Sequence, residues 1–235
     1  MSETPSRQPG SAPAGTRIET LSAADAGRYI GAVLASPGYI RFRDQLQRTG
    51  GDIFTPLEAE LDSFLITVGQ AQRVAVRVPV IGGAGGSFYG ATLHPGPADI
   101  DSTISGVFSL DGVNTSAVME RDGTAALSAV ISPSGDVLGG TLTTSAGATE
   151  LDNLGSDEFH SLLHPDQNVS GFFRCLRDCL RSAGIPPWLV LGLAAVCASA
   201  CVVTEGLACE ACIALVTGAS RAVIFHCISS CASAT

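Results

Sequence analysis

The spacing of apolar residues near the start of the chain predicts two short helices. In both, apolar residues recur every three or four positions, which places them on one side of a helix. The first helix has its N-cap and its apolar positions at Ser22, Ala26, Ile30, Val33 and Leu34. The second has its cap, its first helical residue and its end at Ser36, Pro37 and Gly50-Gly51.

From Arg73 onward the apolar period changes to two, which is typical of strands. Valines alternate with other residues over 74–80, and Pro79 predicts an edge strand here. Further short runs are separated by Gly-rich turns, among them Asp111-Gly112, Asp122-Gly123 and Ser134-Gly135. Such pairs between alternating runs indicate hairpins, so we expect an antiparallel meander of about six strands. The ambiguous stretch "PLEAELDSFLITV" is assigned a further helical turn.

The periodicity is lost over residues 145–171, which are polar and acidic. We therefore expect a disordered lead over 1–20, an α+β domain over 21–150 and a linker with a candidate cleavage site over 151–171. Residues 172–235 are predicted to form a small, disulfide-bonded all-α domain of four helices. The fold class is α+β, with N-terminal helices and an antiparallel β-meander ahead of that C-terminal domain.

Charge supports this division. Residues 1–173 carry nine Arg and nineteen acidic residues, a net charge of −10, and residues 174–235 carry four Arg and three acidic residues, a net charge of +1. Their sum is the overall −9. Neither part has the basic patch that nucleic-acid binding requires.

Common catalytic motifs are missing from the chain. It has no lysine, which excludes a P-loop and a pyridoxal Schiff base. "IGGAGGS" does not meet the dinucleotide-loop spacing, and Gly-x-Ser-x-Gly does not occur. His160 and His164 have a helical metal-ligand spacing but lack the accompanying Glu. We therefore predict no enzyme activity, no catalytic residue, no cofactor and no metal site.

All eight cysteines lie in the last quarter of the chain. They are Cys175, Cys179, Cys197, Cys201, Cys209, Cys212, Cys227 and Cys231. Their even number and helical spacing favour a disulfide framework over buried free thiols or a zinc site. Such a framework indicates a life outside the cytosol.

The spacing also suggests how the cysteines pair. If the second and third predicted helices fold back about residues 204–206, Cys201 lies opposite Cys209 and Cys197 opposite Cys212. A bond between Cys179 and Cys197 is offset by about 9 Å at 1.5 Å per residue, which a disulfide does not tolerate. By elimination we hypothesise the pairs Cys175–Cys231 and Cys179–Cys227.

The predicted C-terminal domain over 172–235, the tail of the chain, is also unusually apolar. Sixteen residues from Trp188 to Val203 carry no charge, somewhat fewer than the roughly 20 that a spanning helix needs. The first helix of the tail carries Arg174, Arg177 and Arg181 on roughly one side. We predict that these arginines contact anionic lipid headgroups and that Trp188 is a further membrane-contact residue. The alternative is a small disulfide-rich bundle whose interior is packed with alanines.

Four segments of the tail, in this order, resemble the precursors of halocin-type bacteriocins, the archaeal microhalocins and their bacterial relatives. They are "CLRDCLRSAGIPPW", "AAVCASAC", "GLACEACIALV" and "HCISSC". The resemblance implies an antimicrobial precursor whose C-terminal peptide acts on the membranes of target cells. It further implies an N-terminal part that serves as propeptide or immunity partner, and a protease and an exporter that release the peptide.

The polar first 20 residues lack the apolar core of a signal peptide. We therefore expect a cytoplasmic or membrane-associated precursor. The disulfides lead us to expect that the C-terminal peptide is secreted. A second hypothesis from another class is a non-toxic interaction or membrane-attachment protein with a stapled helical tail. A redox or metal protein that uses the same cysteines is a third.

Overall fold

A computed structural model describes residues 16–48, 55–56, 62–68, 70–81, 84–144, 146–163, 167–203, 207–218 and 221–232. The strands in these ranges are β1 (Thr16–Thr20), β2 (Thr55–Pro56), β3 (Asp62–Val68), β4 (Ala71–Ile81), β5 (Phe88–Leu93), β6 (Ile100–Asp111), β7 (Asn114–Arg121), β8 (Thr124–Ile131), β9 (Val137–Thr144) and β10 (Gly147–Leu154). The helices are α1 (Ala23–Leu34), α2 (Pro37–Arg48), α3 (Ser156–Leu163), α4 (Gln167–Ser182), α5 (Pro187–Val203), α6 (Leu207–Thr217) and α7 (Arg221–Ala232). We call the elements from β1 to α3 the body and the helices α4 to α7 the tail.

The strands form one antiparallel sheet in the order β1-β3-β4-β5-β6-β7-β8-β9-β10, and β2 pairs with β4. The predicted hairpins are present. Asp122 and Gly123 form the two-residue loop between β7 and β8, with φ values of 51° and 76°. Two consecutive positive φ values suit the type I′ turn that the twist of a hairpin favours. The chain is therefore a mixed α+β protein, with a longer meander than the sequence predicts.

Two stretches that were assigned other structures are strands. β1 lies within the predicted disordered lead and pairs with β3, and β3 forms the last seven residues of the stretch assigned a helical turn. In β3, Ser63 and Ile66 are buried and the apolar run is short, so sheet pairing decides the conformation. Periodicity does not distinguish a short buried strand from a helical turn.

The prediction that Pro79 marks an edge strand is wrong, because β4 lies between β3 and β5. Pro79 is opposite Phe88 of β5. On the other side of β4, the described pairing with β3 ends at Arg77 and the pairing with β2 begins at Val80. The proline thus falls between two partner strands, where the missing N–H removes no described ladder hydrogen bond.

Helices α1 and α2 cover one face of the sheet, and both begin as predicted. The Ser22 hydroxyl accepts a hydrogen bond from the Asp25 N–H at 3.2 Å, and the Ser36 hydroxyl accepts one from Tyr39 at 3.1 Å. The buried side chains of this layer are Tyr29, Val33, Tyr39, Phe42 and Leu46 from the helices, packed on Val74, Val76, Val78, Val80, Tyr89 and others from the sheet. The predicted helix end at Gly50-Gly51 lies outside the described residues.

Helices α5 and α6 lie on the opposite face of the sheet. Buried residues of β5 to β10 and of the tail form one hydrophobic cluster, and a smaller cluster joins Ile18, Ile66 and Ala75 to Ala211 and Leu215 of α6. Helix α4 packs on α5 and on α7, and α7 also packs on α6. The described elements of the tail are helical, but they share their core with the body.

The predicted linker over 151–171 contains regular structure. It holds the end of β10, the whole of α3 and the start of α4 at Gln167, before the expected position 172. Phe159 of α3 is fully buried in the core shared with the tail. The Glu158 carboxylate accepts a hydrogen bond from the Gly155 N–H at 3.0 Å, in the manner of a capping box. This short helix has polar capping residues and a single buried aromatic residue, so the spacing of apolar residues does not reveal it.

Candidate functional site

The tail is built around two helices that consist mostly of apolar residues; α5 has no charged residue and α6 has one, Glu210. α5 begins at Pro187, a favoured first helical residue, and α6 ends before Gly218, whose φ of +57° suits a helix C-terminus. A helix that is apolar around most of its circumference belongs inside a protein or inside a membrane. Here α5 and α6 pack on the sheet and on the outer helices. Buried residues include Leu189, Val190, Leu191 and Leu193 of α5 and all residues from Ala211 to Thr217 of α6.

Three disulfides are described in the tail, and they are three of the four predicted pairs. Cys175–Cys231 and Cys179–Cys227 join α4 to α7, and Cys197–Cys212 joins α5 to α6. Their Cα–Cα distances are 5.5, 5.5 and 5.6 Å, as expected for disulfides. The side chains of Cys201 and Cys209 lie outside the described residues, so their pairing stays a prediction.

Glycines at the interface let the tail approach the sheet closely. A Cβ atom on Gly90 of β5 would lie 3.1 Å from the Leu215 side chain of α6. A Cβ atom on Gly192 of α5 would lie 3.1 Å from the sulfur of Met119 in β7. Both distances are tighter than nine in ten real Cβ contacts. The shapes of sheet and helices are therefore fitted to each other at these two places.

A buried arginine makes a polar contact between body and tail. Arg77 of β4 is only 8% exposed, and its Nε donates a hydrogen bond of 2.9 Å to the carbonyl of Leu215. Its guanidinium also lies over the ring of Phe88, 5.5 Å from the centroid. A buried cation needs such partners, because burial in an apolar core removes its hydration.

A second polar junction joins α3, α4 and the loop before β9. Arg177 of α4 forms ion pairs with Asp157 of α3 and, at 2.8 Å, with its neighbour Asp178. Burial alone lowers the pKa of Arg177, but its hydrogen bonds to Asp178 and Asp157 outweigh burial and raise it.

Asp136, in the same loop, accepts hydrogen bonds from the Ser134 hydroxyl at 2.5 Å and the Ser156 N–H at 3.2 Å. These bonds, that of Ser134 first, lower the pKa of the Asp136 carboxyl. The loop before β9 is thereby tied to the first residue of α3.

The predicted membrane-contact residues fall into two groups. Arg174 and Arg181 are exposed on α4. The Arg177 side chain is only 11% exposed and is occupied by its carboxylate partners. Trp188 is half-buried and packs against the shared core. Two of the four residues thus face solvent in the intact chain, and contact with lipid stays a prediction for all four.

The described part of the chain contains no group of three or more His, Cys, Asp or Glu residues that could hold a metal ion. The six cysteines with described bonds have no thiolate to offer zinc. The side chains of His160 and His164 lie outside the described residues. No helix there has both the length and the apolar character needed to cross a bilayer.

Arg77 is the residue that the sequence interpretation missed. The strand around it has apolar residues at both alternating sets of positions, Val74, Val76 and Val78 on one side and Ala75 on the other. Strands that are apolar on both faces are covered on both faces. An arginine within such a strand must be buried and must have a partner, and this signal would have found it.

The fold and the site together define a class: an α+β chain whose antiparallel sheet covers an apolar, disulfide-stapled helical segment. Comparison with protein-family models, curated proteins and solved structures finds no match for the chain.

Proposed function

We propose that the chain is the precursor of a secreted antimicrobial peptide. The tail is the active peptide, and the body serves as propeptide or immunity partner that covers it until release. The proposal rests on one observation: the described apolar side chains of α5 and α6 are buried in the core that the tail shares with the sheet.

The disulfides would remain in the peptide after its release from the precursor. All three described bonds join one part of the tail to another, so cleavage before α4 leaves them intact. Disulfides persist in oxidising surroundings, which is consistent with export of the tail. Release requires a protease, and export from the producing cell requires a transporter.

Release from the body uncovers an apolar surface on the tail. The side of α5 and α6 that lies against the sheet includes Leu189, Gly192, Ala211 and Leu215. α5 has 17 residues, about 26 Å of helix at 1.5 Å per residue. We infer that this surface enters the interface of the target membrane, while Arg174 and Arg181 attract anionic headgroups.

A controlled cleavage tests the proposal. A specific protease site is placed between Leu163 and Gln167, and the chain is oxidised and cut. Dye leakage is then measured from anionic and from zwitterionic vesicles. The uncut chain is expected to release little dye and the cut chain to release much, most of it from anionic vesicles. The parent chain, treated with the same protease, is the control.

The result that contradicts the proposal is equally concrete. If the cut tail dissociates from the body, keeps its disulfides, and neither releases dye nor inhibits growth of any bacterial or archaeal strain in a broad panel, the tail is not a membrane-active peptide. Mass spectrometry under non-reducing conditions verifies the disulfides in the sample.

One observation favours the second candidate, a non-toxic interaction or membrane-attachment protein. Body and tail share one core, and Phe159 of α3 is buried in it beside residues of the tail. If the cut chain stays associated through gel filtration and causes no leakage, the tail is a permanent part of the fold. That outcome supports the second candidate.

A further inference from the structure

The C-terminal end of α6 has several carbonyls that no further helical turn can bind. A helix always leaves such carbonyls at its end, together with a partial negative charge. In α6, the Ile213 carbonyl accepts from the Thr217 hydroxyl at 2.8 Å and the Ala214 carbonyl from the Gly218 N–H at 3.1 Å. The Leu215 carbonyl accepts from Arg77 of the body. The end of a tail helix is thus completed by a residue of the sheet.

The cation at this helix end also comes from the body. The last turn of α6 contains no basic residue of its own. A positive side chain near a helix C-terminus is favourable, and more so when it is partly or fully buried. Arg77 is buried at that point, so the charges of body and tail complement each other across the interface.

The space around Arg77 restricts which residues can stand at the end of the helix that contacts it. Gly90 provides the space for the Leu215 side chain. On the tail, a Cβ atom on Gly218 would lie 2.7 Å from the Arg77 guanidinium carbon, so that position must remain a glycine while Arg77 keeps its place. The Arg77 guanidinium carbon lies over the Phe88 ring, 5.5 Å from the ring centroid. Shape and hydrogen bonding together select an apolar residue followed, three positions later, by glycine at a helix end.

We propose that Arg77, Phe88 and Gly90 form a recognition site for the C-terminal end of α6. The site fixes the position of the stapled helices along the sheet, which apolar contact alone does not fix. In the intact chain the occupant is Leu215–Gly218 of the same molecule. The body would hold the released peptide at the same site, and this part of the inference rests on the proposed function.

Hydrogen–deuterium exchange on the full oxidised chain tests the site. Arg77→Met keeps a long side chain but removes every donor. The amides of residues 215–218 are expected to exchange about tenfold faster, the factor that corresponds to losing a hydrogen bond to a charged group. Arg73→Met is the matched control on the same strand, since Arg73 pairs with Asp101 at 3.0 Å and not with the tail. It is expected to leave α6 unchanged.

Arg77→Lys covers the case in which Arg77→Met does not fold. A lysine keeps the charge but lacks the planar fork of donors, so faster exchange confined to the end of α6 is again expected. Unchanged exchange at 215–218 overturns the recognition site. So does an increase of the same size across β7 and β8, because it means that Arg77 only stabilises the whole fold.

These measurements are independent of cleavage and of vesicle leakage. A chain that shows the local effect but never leaks dye keeps the recognition site and loses the antimicrobial function. A chain that leaks dye after cleavage but shows no local effect loses only the recognition site.

Discussion

Removal of one of the two disulfides between α4 and α7 is expected to cost much less stability than its span suggests. Cys175–Cys231 and Cys179–Cys227 are nested, with sequence separations of 56 and 48. While the inner bond is intact, the outer bond closes a loop of only 56 − 48 = 8 residues. In the chain-entropy model this loop corresponds to about 2.5 kcal/mol near room temperature. The full span of 56 residues would give about 4.2 kcal/mol.

The same model predicts that the two bonds are not additive. Loss of the inner bond alone costs about 2.3 kcal/mol, because the outer bond still closes a loop of 56 residues that contains the whole inner loop. Loss of both costs about 6.5 kcal/mol, which exceeds the sum of the separate losses by about 1.7 kcal/mol. Either bond therefore substitutes in large part for the other.

The assay compares three variants with the parent chain in guanidinium denaturation followed by far-UV circular dichroism. They are Cys175→Ala/Cys231→Ala, Cys179→Ala/Cys227→Ala and the combination of all four substitutions. Each pair deletes one half-buried and one buried sulfur, so the cavity contributions are matched and cancel in the test of additivity. If the combined loss equals or falls below the sum of the separate losses, the nested-loop reasoning is refuted.

Two further predictions concern the body. Gly106→Ala is expected to destabilise the chain by about 1–3 kcal/mol through overpacking, because the new Cβ would lie 2.7 Å from the Met119 sulfur; thermal unfolding measures the loss. Gly31→Ala in α1, where nothing lies within 4 Å, is the control and is expected to stabilise slightly. Asp136 has a lowered pKa, so its stabilising effect is complete above the unfolded-state value of about 3.9 and is lost as the pH falls through the lower folded-state value. The stability difference between the parent chain and Asp136→Asn, measured by urea titration, should be constant near neutral pH and vanish in strong acid; a difference that persists there contradicts this assignment.

Local sequence signals predicted the elements that depend on local chemistry. Ser22 and Ser36 cap the first two helices, and Asp122-Gly123 closes a hairpin, because capping and tight turns are settled within a few residues. β1 and β3 were missed because their pairing partners determine them. α3 was missed because its polar first turn resembles a linker.

Helical spacing was also sufficient to predict the three described disulfides. The symmetry of an antiparallel pair of helices placed Cys197 opposite Cys212, and elimination then left the two α4–α7 pairs. The interface between body and tail could not be obtained in this way. It depends on Arg77 meeting a carbonyl 138 residues further along the chain. No local pattern encodes a contact of that kind, although a charged residue in a doubly covered strand indicates that one exists.

The apolar character of α5 and α6 leaves their orientation on the sheet undetermined by hydrophobicity. A helix with a single apolar stripe has one favourable side to bury, whereas apolar residues are spread around most of α5 and α6, with Glu210 as the one charged residue in the two helices. Orientation must then come largely from other features that differ between sides. Gly192 lies close to Met119 and Gly90 close to Leu215, and in the same arrangement Arg77 donates a hydrogen bond to the end of α6. The body therefore contributes specificity as well as cover, and it does so with a few residues that a compositional description of the chain would pass over.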